Sequence, residues 1–175
     1  MIEKYLAGVD PGISEGAIVV INSKGELQRW WTFRKASSGG LDMNHVSGLV
    51  WGIKESYHAK FYLEKVHAIF GSSAGSTFKF AEGYGAIQGI LTAHGCDWEL
   101  RTPREWQSKI WREEDFVYKE SKKKTKDTKA TSLNSFKRLY PNLDLRFGLN
   151  EKKNNRRTKQ HGGLVDSILI ARSQL

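Results

Sequence analysis

The sequence predicts an α/β fold: a five-stranded mixed sheet, part antiparallel meander and part parallel strands, with helices on both faces. Three observations predict it. Three β-rich runs open the chain with only short turns between them. Two more β-rich runs are each preceded by a segment of helical apolar spacing. The last apolar run also keeps helical rather than alternating spacing. A length of 175 residues suits a single domain, taken here as 1–175.

In chain order, residues 4–9 and 16–22 read as short buried strands, with Asp10-Pro11-Gly12-Ile13-Ser14 as the turn between them. Ser23-Lys24-Gly25 turns the chain into a third strand, 26–33, which carries Trp30 and Trp31. Past the loop Ser37-Ser38-Gly39-Gly40, residues Leu41, Val46, Leu49, Val50, Ile53 and Tyr57 fall on one helical stripe. Residues 60–66 form a strand bearing Glu64. A Gly/Ser loop at 71–75 follows, and Ser76 is the expected N-cap of a helix reaching residue 93. Residues 97–101 are the fifth strand, closed by Thr102-Pro103, and 104–111 a short helix. The segments 112–126 and 143–160 read as basic or polar loops. Between them, 127–140 is a helix stopped by Pro141, and 164–175 is the terminal helix.

Charge is unevenly distributed. Residues 119–138 hold eight basic and two acidic side chains, and 151–159 hold five and one, so these stretches account for the whole net charge of +9. A near-neutral body with two basic segments suits a polyphosphate partner, and equally a solvated helix face and loop. Neither stretch pairs its lysines with a continuous apolar face, which argues against a membrane surface. No apolar run reaches the roughly 20 residues of a membrane span, and the N-terminus lacks a signal-peptide pattern. The single Cys96 rules out an internal disulfide and a Cys-cluster zinc site. A cytoplasmic protein is expected.

Three carboxylates stand in apolar settings: Asp10 after Tyr-Leu-Ala-Gly-Val, Glu64 within Phe-Tyr-Leu-Glu-Lys-Val, and Asp166 within Leu-Val-Asp-Ser-Ile-Leu-Ile. A buried carboxylate neutralises, pairs or binds a metal. Read singly, Asp10 also serves as a turn residue, Glu64 as half of an ion pair, and Asp166 as a charge favoured in a helix's first turn. Together they would make an oxygen-only site for Mg²⁺, with Mn²⁺ as a substitute, and a cation would offset their mutual repulsion. Gly162 and Gly163 leave room beside Asp166 for a metal, backbone or substrate. A basic chain with such a site suggests a nuclease, since metals at phosphodiesters activate water and stabilise the leaving oxygen.

Four segments then line up in order: Gly8-Val9-Asp10-Pro11-Gly12, Leu63-Glu64-Lys65-Val66, Ser76-Thr77-Phe78-Lys79-Phe80-Ala81 running into Gly83-Tyr84-Gly85, and Val165-Asp166-Ser167-Ile168-Leu169-Ile170-Ala171. With them the chain resembles the RuvC group of Holliday-junction resolvases, in the retroviral-integrase/RNase H superfamily. Its length, Trp106, the lysine-rich stretch and Tyr140-Pro141 look more like the phage-type branch. The resemblance implies an RNase H-like fold and a homodimer that cuts opposing strands of a four-way DNA junction. It also implies metal-binding roles for Asp10, Glu64 and Asp166, and a host-cytoplasm location if phage-encoded. The family's fourth ligand falls about three residues before the last Asp, where this chain has glycines, so His161 is the nearest candidate. Basic residues near the penultimate helix hold the scissile phosphate, which implicates Lys126 and Lys129 as catalytic and Lys122, Lys123 and Lys124 as DNA-binding. Phe70 is the candidate wedge at the junction centre. Ser76 and Thr77 are expected to meet a phosphate through free amides, with Lys79 beside them and Arg156 and Arg157 in the second basic stretch.

Competing patterns fall away. Gly83-Tyr-Gly-Ala-Ile-Gln-Gly has one residue too many for a dinucleotide fingerprint and lies in a helical pattern, where close helix packing explains it better. No P-loop lysine follows Gly71, so no nucleotide cofactor is expected. An actin/Hsp70-like ATPase would need a second phosphate hairpin and a longer chain. A junction-binding module without strong catalysis remains the other reading, motivated by the missing fourth ligand.

Overall fold

The computed structural model describes residues 4–67, 73–120, 125–146, 149–150, 155–156 and 159–175. Five strands, β1 (Tyr5–Asp10), β2 (Ala17–Asn22), β3 (Leu27–Thr32), β4 (Lys60–Glu64) and β5 (Trp98–Arg101), form one sheet in the order β3-β2-β1-β4-β5. β1 pairs antiparallel with β2 and parallel with β4, and β4 pairs parallel with β5. The expected meander and mixed sheet are both present. β6 (Leu149–Asn150) and β7 (Asn155–Arg156) make a separate antiparallel ladder inside the segment expected to be a loop.

Strand alternation assigns the two faces. On β2, Ile18 and Val20 belong to a core with Val46, Val50 and Ile53 of α1 (Met43–Tyr57) and Ile87 and Leu91 of α2 (Ala74–Ala93). Ala17, Val19 and Ile21 face a second core with Trp106 of α3 (Pro103–Ile110), Phe136 of α4 (Thr128–Leu139) and the buried side of α5 (Gly162–Arg172). On β1, Ala7 and Val9 point to the first core. The period of two therefore turns Gly8 and Asp10 toward α5. On β4, Phe61 and Leu63 face the first core and Tyr62 the second, which puts Glu64 on the same side as Asp10.

α5 can lie close to β1 because residue 8 is glycine: a Cβ there would stand 1.9 Å from the Ser167 carbonyl oxygen. Gly83, buried against Leu41, is likewise a packing glycine, as read from the sequence.

Three boundaries move. α2 begins earlier than expected, with Ser73 as N-cap: its Oγ accepts from the Ser76 N–H, and its carbonyl accepts from the Thr77 N–H. The amides of Ser76 and Thr77 are thus engaged within the helix, not free for a phosphate. α5 starts at Gly162, so Asp166 lies one turn inside the helix rather than at its start. Residues 112–126, expected to carry little order, include a 3₁₀ turn at Glu113–Asp115 and a bridge between Tyr118 and Lys126. A buried ion pair anchors that turn. Asp115, 2% exposed, accepts from Arg138 Nη2 at 2.6 Å, from Arg138 Nε at 3.0 Å and from Ser135 Oγ at 2.8 Å. No helix among the described residues is long and apolar enough to cross a membrane.

Candidate functional site

Asp10 ends β1, Glu64 ends β4, and Asp166 comes from α5, which packs on β1 and β2 on the same face of the sheet. Pro11 ends the β1 run, and the Gly12 N–H, returning in the turn, donates to Asp10 Oδ1 at 3.0 Å. Ser167 ties the helix to both neighbouring strands. Its Oγ accepts from the Asp10 N–H at 3.1 Å and donates to the Ala17 carbonyl at 3.0 Å. Glu64 is held from below, where the buried indole of Trp106 donates Nε1–H to its Oε1 at 2.9 Å. Asp166 accepts a hydrogen bond from the Ser132 side chain of α4.

The carboxylates share one electrostatic environment. Burial raises Asp10 well above the usual carboxylate range, the charges of Asp166, Glu64 and Glu15 add to this, and the Gly12 hydrogen bond opposes it. Asp166 is pushed up to about 7 by burial, then by Glu64, with Ser132 and Lys129 pulling it down. Glu64 is raised by burial and lowered by the Trp106 N–H. This pattern of repelling acids in an apolar floor marks functional sites more often than structural ones.

Asp10 and Asp166 open into a cleft of about 1380 Å³. Its lining includes Lys129 and Lys137 from α4, Arg146, which is paired with Asp144, and Lys159, together with Ser76, Thr77 and Phe80 of α2. Glu15, in the β1–β2 turn, and Asp127, the N-cap of α4, also line this cleft. Gly162 and Gly163 accommodate Glu15. A Cβ at 163 would sit 1.6 Å from the Glu15 carbonyl oxygen and 3.0 Å from Asp10 Oδ2, and one at 162 would sit 2.9 Å from Glu15 Oε2. The room beside Asp166 is filled by backbone. A smaller hollow of about 560 Å³ contains Lys109, Arg112, Arg138 and Arg172 beside the ends of α3, α4 and α5, where cations complement the helix dipoles. It lacks the carboxylates, and the chemistry points to the larger cleft.

The fold has solved counterparts. RuvC from Thermus thermophilus in complex with a Holliday junction substrate superposes with a TM-score of 0.61 at 12% identity, over 97% of this chain and 91% of that one. A second Thermus thermophilus RuvC structure gives 0.59 at 13% identity, over 97% and 92%. The fold is RNase H-like. At this identity the RuvC likeness establishes the architecture alone. No protein-family model matches the chain, and no curated protein matches its sequence.

On this RNase H-like frame the expected site residues separate into three groups. Asp10, Glu64, Asp166 and Lys129 come together, and Lys129 lies near enough for its charge to lower Asp166. Lys126 and Lys79 are engaged elsewhere, and His161, next to the cleft, gives one ring nitrogen to a helix cap. His161 is the N-cap of α5, 5% exposed, with Nδ1 accepting from the Leu164 N–H at 3.2 Å, so that nitrogen holds a helix rather than a metal. Lys126 rests its ammonium over the Phe116 ring, 3.2 Å from the centroid, and Lys79 donates to the Ser38 carbonyl at 3.2 Å. Arg156 lies in β7, and Phe70, Lys122, Lys123, Lys124 and Arg157 fall outside the described residues.

Sequence reasoning missed Glu15, Ser132, Ser167, Lys137 and Arg146. A glutamate in a turn and serines in helices carry no periodic signal; only the contact made across the fold distinguishes them.

Among the described residues, no three His, Cys, Asp or Glu side chains close on one point as a finished metal cage. The donor set still fits a hard divalent cation: carboxylate oxygens on two strand ends and one helix, in a cleft where positive charge would relieve their repulsion.

Proposed function

We propose that this chain is a metal-dependent, structure-selective DNA endonuclease that resolves four-way junctions and other branched DNA by paired phosphodiester hydrolysis. The observation that carries the reading is the cleft itself, with Asp10 and Asp166 in its lining next to Glu64 and with Lys129, Lys137, Arg146 and Lys159 around them. Acids alone would repel a phosphodiester, and cations alone would only bind it. Their juxtaposition suits holding a backbone while a metal acts on one phosphate. The junction-bound RuvC that shares the fold supports the substrate class.

Asp10, Glu64 and Asp166 would hold Mg²⁺, or Mn²⁺ in its place. The metal would supply Lewis-acid activation of water and of the phosphoryl oxygen. Lys129, beside Asp166, would hold the scissile phosphate in the cleft, and Lys137 and Lys159 would hold the flanking backbone. Action as a homodimer would place two such clefts on opposing strands. One observation favours the second reading, a junction-binding module with weak catalysis: His161 spends Nδ1 on a helix cap.

The test is incubation with a synthetic four-way junction beside linear duplex, with Mg²⁺, with Mn²⁺ and with neither. Metal-dependent symmetric nicks, lost in Asp10→Asn and Asp166→Asn while junction binding persists, support the nuclease. Tight binding without cleavage in either metal refutes it in favour of the module. Light scattering of the free protein checks the dimer.

A further inference from the structure

Two indoles stack edge to face under the carboxylates, Trp106 and Trp111, with centroids 6.1 Å apart. Only one of them has a use for its N–H. Trp106 Nε1 donates to Glu64 Oε1 at 2.9 Å, whereas Trp111 Nε1 is buried with no hydrogen-bond partner among the described residues. The route that delivers Trp106 is stiff. β5 pairs beside β4 with Glu64 opposite Arg101, and α3 begins two residues later. Its first turn is fixed by Pro103 and by a capping box, in which Thr102 Oγ1 accepts from the Glu105 N–H and Glu105 Oε2 accepts from the Thr102 N–H at 2.7 Å. Trp106 follows at once, 1% exposed, its ring sealed into the core with Tyr62, Phe136 and Leu164.

A glutamate at the end of a strand has two free torsions beyond its Cβ, the second of which rotates the carboxylate. A single donor from a locked ring removes that freedom, occupying one oxygen and leaving the other for a ligand. We propose that Trp106 is the positioning residue of the metal centre: its indole N–H orients the Glu64 carboxylate so that its remaining oxygen meets the metal. This rests on the metal-nuclease reading above. Trp106 is fully buried and Trp111 only partly so, and a purely packing role would therefore separate them in stability while leaving metal affinity alone. A positioning role separates them in metal affinity.

The experiment is therefore a matched pair, Trp106→Phe and Trp111→Phe, compared with wild type by Mn²⁺ titration calorimetry without DNA, by junction binding without divalent metal, and by steady-state cleavage. Loss of an outer partner of a ligating carboxylate typically weakens metal binding by about 10- to 100-fold. Trp106→Phe is expected to lose Mn²⁺ affinity on that scale and to lower kcat with KM for the junction and metal-free junction binding unchanged. Trp111→Phe is expected to match wild type in all three. In a Glu64→Gln background, Trp106→Phe should have no further effect on metal binding.

Equal Mn²⁺ affinity in wild type and Trp106→Phe, or equal losses in both indole variants, overturns the proposal. Should Trp106→Phe not fold, the indole N–H resonances of the six tryptophans decide it in wild type and Glu64→Gln. One resonance must shift between the two proteins and on adding Mg²⁺ to wild type; none shifting overturns the assignment. Wild-type protein that binds no metal and cuts nothing overturns the parent reading, whatever the variants do. Wild type that does both while Trp106→Phe equals it overturns only this inference.

Discussion

Lowering the pH should stabilise the metal-free protein, against the usual behaviour of acids in folded chains. The cause is Asp166, whose carboxyl is raised from 3.8 to about 7, mainly by burial and then by Glu64. A carboxyl whose folded value lies above its unfolded value binds its proton more tightly in the folded state. Folding is then penalised when the group is ionised, and the penalty disappears as pH falls from above 7 toward 4. A shift of about three units corresponds to a ceiling on the order of 4 kcal/mol, at roughly 1.4 kcal/mol per unit. Water in the cleft screens the half-buried group, so the observed gain should be smaller. Asp10, raised in the same direction, adds with the same sign. The assay is urea unfolding in a chelator at half-unit steps from pH 8 to pH 4.5, repeated with Asp166→Asn and with saturating Mg²⁺. The wild-type midpoint should climb as pH falls. Asp166→Asn should be more stable than wild type at pH 8 and have a flatter profile, and Mg²⁺ should raise the pH 8 value most. A wild-type profile that is flat or falls toward pH 5, or an Asp166→Asn protein less stable at pH 8, refutes the reasoning.

Asp115 should act with the opposite sign and in a lower window. Burial alone would raise it, but Arg138, the Arg112 N–H and Ser135 outweigh burial and bring it down to about 2, so its contribution is present above pH 4 and is lost as pH falls through 2; acid unfolding of Asp115→Asn will lack that step. Arg138→Met should cost about 3–5 kcal/mol in urea unfolding at pH 7, because it strands a buried carboxylate, and adding Asp115→Asn should recover part of the loss. Gly163→Ala should lower the melting temperature and abolish metal uptake by calorimetry, since its Cβ would collide with the Glu15 carbonyl at 1.6 Å and press on Asp10. Lys129→Ala should weaken junction binding and reduce the slope of log affinity against log salt by about 1, while Lys126→Ala, whose ammonium rests on Phe116, should leave that slope unchanged.

The mixed sheet was legible because each of its strands carries its own local signal: the turn at Asp10-Pro11-Gly12, the unbroken apolar run of β2, the β-rich run ending at Glu64. The three carboxylates were legible for a related reason, since an acid in an apolar run announces itself without knowledge of the partner. Features made by contact between distant segments were hidden. Asp115 and Arg138 are 23 residues apart in sequence and impose order on a stretch whose composition reads as loop. His161, a ligand candidate by its address near Asp166, is also the N-cap of α5, a role hidden in the sequence because the helix begins at two glycines. Gly162 and Gly163 were read as room for a metal, backbone or substrate, and sequence alone does not choose among the three. Here Glu15 fills that room.

The glycine at position 8 sets how the cleft floor behaves mechanically. With no side chain between β1 and α5, the two backbones meet directly, and Ser167 pins them at Asp10 and Ala17. The strand that carries Asp10 and the helix that carries Asp166 thus form a single stiff body, like the fixed jaw of a vice. Under the proposed activity, adjustment falls to the other parts of the cleft, the α2 wall and the cationic side chains, and to the DNA, which must be shaped to the floor.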